Sequence, residues 1–383
     1  MKEIIHFLDP VEDSLRKSKR NGTIMNYISF FSSSAPVSLK DFSIALIGIS
    51  DERNSLNHGV ERSADAIRSE FYSLHSGEIQ TSIIDLGNIK KGKTVIDTYR
   101  ALQDVILFVI EQKVLPIVFG SSQDMMLPIA RSIRAFSNPF NITIIDNKVD
   151  VGKHNAFNNL STLDFINNEI KPFKITHIGS QSYLNPHNEL QFFHDNYLPL
   201  VRLGKIRDNI TSSESSMRDS QLIVFDISAI RFCDAPGNTF ASPNGITSED
   251  SCQLAKYAGI SDESLCFFIC EHNPTLDNRN QTANLCAQII WHFIEGFINR
   301  KDDLPSRDTK GMKKFVVSSE QFGFNIDFYQ SKKTNRWWID VPHNQENSTN
   351  IIPCDYDDYL QACQENIPDV YVMEKSRLLS RMS

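Results

Sequence analysis

Three aspartates at the ends of apolar segments are the residues whose types and spacing are best suited to chemistry. Asp146 and Asp150 lie four residues apart after one apolar segment, and Asp226 ends another. Carboxylates that converge on one cleft are typical ligands of a divalent metal ion. Aspartate also commonly follows a strand as a turn or helix-capping residue, so the spacing alone leaves both interpretations open.

Short apolar segments alternate with amphipathic segments and predict the elements that position these aspartates. Predicted strands are residues 42–49, 82–87, 114–120, 141–146, 175–179, 222–226 and 265–271, and predicted helices are residues 63–71, 94–112, 125–136 and 282–298. This alternation predicts a mostly parallel sheet that is covered by helices on both faces. Such sheets bind ligands outside the carboxyl ends of their strands, which is where the aspartates lie.

Two more polar motifs follow predicted strands. Residues 120–124 read Gly-Ser-Ser-Gln-Asp, and residues 271–274 read Glu-His-Asn-Pro. Neither a GxGxxG motif nor a P-loop follows the first strand, which argues against a nucleotide-binding variant of this architecture.

The overall composition argues against nucleic acid and membrane partners. The 383 residues carry a net charge of −8 without a cluster of lysine and arginine, so nucleic acid is not an expected partner. The apolar stretch 286–298 is interrupted by His292 and Glu295, so no membrane span is expected. Seven cysteines without a CxxC pair indicate reduced thiols in a cytoplasmic protein.

The pattern divides the chain into three regions. Residues 1–40 form an N-terminal arm, residues 41–300 the α/β domain, and residues 301–383 a C-terminal extension with a β-hairpin and a short helix. In the extension, strands are predicted at residues 315–317, 322–329 and 336–342, and a helix at residues 356–364. The Trp337–Trp338 pair is interpreted either as the core of this extension or as a surface for a protein partner.

Several motifs, in the same order and at the same spacing, resemble the ureohydrolase family of arginases, agmatinases and formimidoylglutamases. The family's metal-binding and substrate-binding motifs are Gly-Gly-Asp-His-Ser, Asp-Ala-His-x-Asp, Asp-x-Asp and Glu-x-Asn-Pro-x-x-Asp. The matching segments here are residues 120–124, 146–150, 226–228 and 271–277. Residues 59–68 and 85–87 resemble the family's Gly-…-Ile-Arg helix and Asp-x-Gly strand.

The resemblance implies a three-layer α/β/α sandwich around a mostly parallel sheet of about eight strands. It also implies a centre of two Mn²⁺ ions, held by histidines and aspartates, whose bridging hydroxide attacks a guanidino or formimino carbon. Family members commonly form trimers or hexamers, so a homo-oligomer is expected here.

Half of the implied metal ligands are replaced in this chain. Asp146, Asp150 and Asp226 are retained at aspartate positions. Gln123 and Lys148 stand at the two histidine positions, and Ser228 stands at the fourth aspartate position. A lysine ammonium has no lone pair at neutral pH, so it cannot bind a metal ion.

Lys148 suggests how the site is neutralised without metal ions. Three nearby carboxylates raise one another's pKa unless a cation lies among them. We expect Lys148 to donate to at least two of Asp146, Asp150 and Asp226. The alternative is that Lys148 points to solvent and the three carboxylates still hold one ion.

The resemblance also indicates where a ligand would bind. Glu271 stands where arginases face the guanidinium group, so it is the candidate substrate-facing carboxylate, although it is equally consistent with a locally paired structural acid. His154 and Asn155 lie on the loop that contacts the amino-acid end of the substrate in family members.

These replacements favour an inactive pseudoenzyme with a binding, assembly or regulatory role and without an expected cofactor. The first alternative is an active hydrolase of linear amidines or guanidines, similar to formimidoylglutamase, that uses one or two Mn²⁺ ions in a rearranged site. The second is a sensor that binds a small guanidino or amino-acid ligand without turnover. A protein partner would bind through the C-terminal extension.

Overall fold

The structure is a computed structural model that describes residues 4–16, 21–33, 38–151, 157–305, 310–319, 322–342 and 350–381. Its strands are β1 (Leu8–Asp9), β2 (Ile28–Phe30), β3 (Ile44–Ile49), β4 (Ile83–Ile89), β5 (Leu115–Phe119), β6 (Asn141–Ile145), β7 (Lys174–Ser180), β8 (Leu200–Arg202), β9 (Leu222–Asp226), β10 (Cys266–Cys270), β11 (Met312–Ser319), β12 (Phe324–Ser331), β13 (Trp337–Asp340) and β14 (Ile351–Cys354). Its α-helices are α1 (Ser63–Ser73), α2 (Val95–Glu111), α3 (Met126–Phe136), α4 (Thr162–Phe165), α5 (His187–Asp195), α6 (Leu203–Asp208), α7 (Ser212–Met217), α8 (Ser248–Ile260), α9 (Gln281–Ile298), α10 (Tyr356–Cys363) and α11 (Asp369–Ser380).

The central sheet is mostly parallel, as predicted. Its order is β1-β4-β3-β5-β10-β9-β6-β7-β8, and β2 also pairs with β4. The short strands β1 and β2 come from the N-terminal residues and cover the edge of β4, β1 antiparallel and β2 parallel. This pairing provides hydrogen-bond partners for backbone groups of β4 that would otherwise be exposed at the edge of the sheet.

Two apolar cores lie on opposite faces of the sheet and confirm the predicted three-layer sandwich. Helices α2 and α3 pack on one face, and α1, α8 and α9 pack on the other. Alternate residues of β3 show the division, because Ile47 belongs to the first core and Leu46 to the second. The central strands are buried on both faces, which explains their continuous apolar sequences.

Helices α8 and α9 approach each other closely through two glycines. A Cβ atom added at Gly259 would lie 2.1 Å from the Phe293 carbonyl oxygen, and one at Gly296 would lie 2.3 Å from that of Lys256. Only glycine therefore fits at these two positions. None of the helices in the described part of the chain is long and apolar enough to cross a membrane.

The C-terminal residues form a second, antiparallel sheet in the order β11-β12-β13-β14, with α10 and α11 packed against it. Trp337 and Trp338 are 7% and 1% exposed, so this pair belongs to the interior of the protein rather than to a surface. Trp338 lies against Arg218, whose guanidinium carbon is 4.8 Å from the ring centroid. The division of the chain at residues 41 and 301 stays a prediction.

A buried charged network joins the C-terminal sheet to the central domain. Arg218, beside α7, forms an ion pair with Glu214 and donates a 2.7 Å hydrogen bond to the Trp337 carbonyl oxygen. Arg336 lies 3.1 Å from Glu214 and 3.4 Å from Asp303. The extension is therefore attached by desolvated polar contacts as well as by apolar packing.

Candidate functional site

Four neighbouring strands, β5, β10, β9 and β6, end at the same edge of the sheet and position the candidate site. Gln123 follows β5, Asp146 follows β6, Asp226 is the last residue of β9, and Glu271 follows β10. All four side chains are buried. The predicted convergence of these strand ends is therefore present in the structure.

Gln123 lies between two of the aspartates and donates to both. Its Nε2 atom is 2.9 Å from Asp146 Oδ2 and 3.3 Å from Asp226 Oδ2. The amide thus bridges the carboxylates that follow two adjacent strands. Its Oε1 atom is buried and accepts no hydrogen bond from the described residues.

Ser228 supplies a second set of donors to the same carboxylates. Its hydroxyl lies 2.9 Å from Asp146 Oδ1, and its backbone N–H donates to Asp226 Oδ1 at 2.7 Å. The Asn147 side chain donates to the Ser228 carbonyl oxygen at 2.6 Å and so fixes the turn after β9. Two replacement residues therefore satisfy the carboxylates that the family resemblance places around metal ions.

Lys148 does not have the role that we expected. Within the described residues, its ammonium forms no ion pair or hydrogen bond with Asp146, Asp150 or Asp226, and instead lies 5.2 Å from the centroid of the Phe240 ring. Only its backbone N–H reaches a carboxylate, at 3.2 Å from Asp146 Oδ1. At this distance the ammonium makes a cation–π contact with Phe240, on the loop after β9, in place of the ion pairs that we expected.

The three aspartates of the site, Asp146, Asp150 and Asp226, still repel one another when all of them are charged. Burial, followed by the charge of Asp146, raises the pKa of Asp150 and of Asp226 well above the usual range. The Lys148 charge opposes this increase in the pKa of Asp150 from a distance. Asp150 itself has a φ of 45°, in the left-handed region that residues other than glycine rarely adopt.

Glu271 is held by side-chain amides and by one backbone N–H. Its Oε1 atom accepts from the Gln123 backbone N–H at 2.9 Å and from Asn159 Nδ2 at 3.0 Å, and its Oε2 atom accepts from Asn57 Nδ2 at 2.9 Å. Burial raises its pKa to about 7 against the effect of these donors. Because three protein groups donate to its carboxylate, Glu271 matches the interpretation as a locally paired structural acid.

Sequence reasoning missed the asparagines that surround Glu271. Asn57 lies on the loop after β3, Asn159 precedes α4, and Asn238 donates to the Glu271 carbonyl oxygen at 2.8 Å. The only sequence signal was the frequency of asparagine in loops after strands. The predicted ligand-contacting residues His154 and Asn155 lie outside the described residues.

Replacing Gln123 by methionine is expected to lower the free energy of unfolding by about 1–3 kcal/mol, because two buried carboxylates would lose their shared donor. Chemical denaturation followed by circular dichroism measures this change. Gln288→Met is the matched control, because Gln288 is exposed and its one hydrogen bond to a described side chain goes to Asn284. Equal effects of the two substitutions would contradict the bridging role of Gln123.

The described residues offer no ready-made metal cluster. In those parts of the chain, no group of three or more histidine, cysteine, aspartate and glutamate side chains is arranged to hold a metal ion.

Comparisons with known proteins agree with this architecture. The model of the arginase family matches residues 42–295. No curated protein sequence matches the chain.

Solved structures of low sequence identity share the fold. A Trypanosoma cruzi formiminoglutamase with Mn²⁺ is 18% identical with a TM-score of 0.65, covering 70% of this chain and 97% of that one. Formimidoylglutamase from Bacillus subtilis is 15% identical with a TM-score of 0.68, covering 76% and 97%. Proclavaminate amidino hydrolase from Streptomyces clavuligerus is 15% identical with a TM-score of 0.62, covering 68% and 93%. The family match spans most of the chain and includes each strand end described above, so the chain belongs to the arginase family.

Proposed function

We propose that this arginase-family protein is a pseudoenzyme, which uses the retained fold for binding, assembly or regulation rather than for hydrolysis. The observation that carries the proposal is the Gln123 amide, whose N–H group lies between Asp146 and Asp226. A hydrogen-bond donor in this place stabilises the carboxylates without a metal ion.

The side chains at the site do not fit a pair of Mn²⁺ ions. A metal ion requires lone pairs, whereas Gln123 and Ser228 present N–H and O–H groups to the retained aspartates. Turning the Gln123 amide around would place its Oε1 atom against two carboxylates, which only an added cation would make favourable. The ammonium of Lys148, at a position where the family has a histidine, offers no lone pair at neutral pH.

The charged contacts of the C-terminal extension support a binding or assembly role. The network of Glu214, Arg218, Arg336 and Asp303 holds the extension on the central domain, where it adds surface that hydrolysis does not require. A cytoplasmic location, a homo-oligomeric state and a protein partner on this extension are part of the same proposal. The three protein donors that occupy the Glu271 carboxylate argue against a sensor that binds a guanidino group there.

Metal content measured together with hydrolysis tests the proposal. Protein purified with Mn²⁺ in the medium is expected to hold less than about 0.1 metal ion per chain, because its donors are arranged for hydrogen bonds. Neither urea nor formamide is expected from arginine, agmatine or formiminoglutamate. One bound Mn²⁺ per chain with turnover of any of these compounds would instead establish the hydrolase alternative with a rearranged site.

A further inference from the structure

Helix α11 links the C-terminal extension to the central domain. In its second half, Glu374 accepts a hydrogen bond from Asn350 Nδ2 of the extension at 2.8 Å. The adjacent Lys375 donates to the Pro342 carbonyl oxygen, also in the extension, at 2.6 Å. The last turn of the helix contacts the central domain instead, through two arginines. The attachment of the extension therefore includes the end of α11.

Arg377 and Arg381 form this attachment, which we call the α11 anchor. Arg377 is buried and donates to the Tyr197 carbonyl oxygen from Nη2 at 2.9 Å and from Nε at 3.3 Å. Arg381 is exposed, and its Nη2 atom lies 2.6 Å from the carbonyl oxygen of Pro172 and 3.0 Å from that of Phe173. Both guanidinium groups also lie over the Phe173 ring, at 5.7 Å and 5.0 Å from its centroid. The oxygen atoms that accept these bonds belong to neutral carbonyl groups.

The two arginines of the α11 anchor differ in their negatively charged partners. Arg377 pairs with Glu374 at 2.6 Å, whereas Arg381 forms no ion pair with the described residues. Within the same residues, the Nε and Nη1 atoms of Arg381 donate no hydrogen bond. Burial, followed by the charge of Arg377, lowers the pKa of Arg381. An anion beside Arg381 would bind its guanidinium group more strongly than the neutral carbonyl groups do.

Ser380 is the residue at which such an anion can be added. Its side chain is exposed, directly before Arg381, and its hydroxyl group donates to the Arg377 carbonyl oxygen at 2.9 Å. Arg377 stands three residues before this serine, and arginine-directed serine kinases bind an arginine at that position with their own carboxylates. The end of a helix opens more readily than its middle, so residues 377–381 can enter the cleft of a kinase.

We propose that Ser380 is a phosphorylation site and that its phosphate group releases the α11 anchor from the central domain. The kinase joins the γ-phosphorus of ATP to Ser380 Oγ, while the bond from that phosphorus to ADP breaks and the hydroxyl proton passes to the base of the kinase. The phosphate lies at the carboxyl end of a helix, where negative charge is unfavourable. It also attracts Arg381, whose hydrogen bonds to Pro172 and Phe173 are then lost. This inference does not depend on the state of the metal-type site.

Incubation of the full chain with ATP and the catalytic domain of calmodulin-dependent protein kinase, which is arginine-directed, tests the site. Mass spectrometry of the digested protein is expected to find phosphate on Ser380. Ser73 is the matched internal control, because it is exposed, ends α1 and donates to the carbonyl oxygen three residues earlier. That earlier residue is Glu70 rather than an arginine. Absence of phosphate on Ser380, or equal phosphorylation of Ser73, would overturn the proposal.

Hydrogen exchange of the phosphorylated protein measures the release of the α11 anchor. The amides of residues 377–381 are expected to exchange about tenfold faster than in the unphosphorylated protein, since charged hydrogen bonds are lost. Unchanged or slower exchange would mean that the phosphate does not release the helix, and the proposal would be wrong.

The variant Arg381→Gln tests whether the phosphate acts through this arginine. Arg377 remains in the variant, so the kinase still has the arginine that it recognises. Because the guanidinium group that the phosphate attracts is absent, phosphorylation is expected to accelerate exchange of residues 377–381 less than in the original chain. Equal acceleration in the two proteins would contradict the role assigned to Arg381.

Discussion

Replacing Arg68 by methionine is expected to lower the free energy of unfolding by about 3–5 kcal/mol, because it leaves a buried carboxylate without its cation. Arg68 is fully buried, and its Nε and Nη2 atoms each lie 3.0 Å from an oxygen of Asp85. Its Nη2 atom also donates to the Gly87 carbonyl oxygen at 2.8 Å. Methionine fills a similar volume but makes none of these hydrogen bonds.

Denaturant titrations of Arg68→Met and of a matched control measure the effect. Lys91→Met is suitable, because its partner Glu61 lies at a similar distance of 2.9 Å while both side chains are exposed. Exposed pairs contribute about 0–1 kcal/mol, so the control should remain close to the original protein. The double variant Arg68→Met/Asp85→Leu should be more stable than Arg68→Met, since it removes the unpaired charge. A loss below about 1 kcal/mol for Arg68→Met would contradict the buried pair's role.

This ion pair explains part of the family resemblance outside the metal motifs. Arg68 ends one of the matching segments, residues 59–68, and Asp85 begins another, residues 85–87. The Gly87 N–H donates to Asp85 at 2.8 Å, and Tyr72 adds a hydroxyl at 2.6 Å. These motifs join α1 to β4 through buried hydrogen bonds, so they serve folding whether or not the protein has a catalytic centre.

The main parallel strands were predictable because their apolar residues are continuous and end at polar residues. The prediction missed α8, whose buried side chains are small and give little periodicity, such as Ala255 and Ala258. It also missed β1 and β8, which are two and three residues long and carry no recognisable pattern. These elements are stabilised by packing against the rest of the fold. A local sequence pattern does not contain that information.

The positions of the site residues were predictable, whereas their hydrogen-bond partners were not. Motif spacing placed Gln123, Asp146 and Asp226 at strand ends that are adjacent in the sheet. The direction of the Lys148 side chain depends on Phe240, which lies on a loop after another strand. Charge alone predicts that the lysine pairs with the nearest acids, whereas an amide and a hydroxyl already donate to Asp146 and Asp226 in the folded protein.

Introducing the family's ligands at residues 123, 148 and 228 should create Mn²⁺ binding, which the pseudoenzyme proposal does not expect of the original chain. In the variant Gln123→His/Lys148→His/Ser228→Asp, the donors that lie 2.9 Å from Asp146 are replaced by groups with lone pairs. Without metal this variant is expected to be less stable than the original chain, because the carboxylates lose their donors and gain a like charge. Mn²⁺ should then stabilise it by about 2.7 kcal/mol at a concentration one hundred times its dissociation constant.

Thermal unfolding with and without Mn²⁺ measures this gain, and the variant Gln123→His/Ser228→Asp with Lys148 retained is the control. The Lys148 ammonium in this control cannot bind a metal ion, so one of the ligand positions stays empty. Mn²⁺ should therefore stabilise the control less than it stabilises the triple variant. Stabilisation of the original chain by Mn²⁺ to the same extent as the triple variant would mean that the amide of Gln123 turns to accept a cation. In that case the hydrogen bonds to Asp146 and Asp226 describe only a metal-free state, and the pseudoenzyme proposal fails.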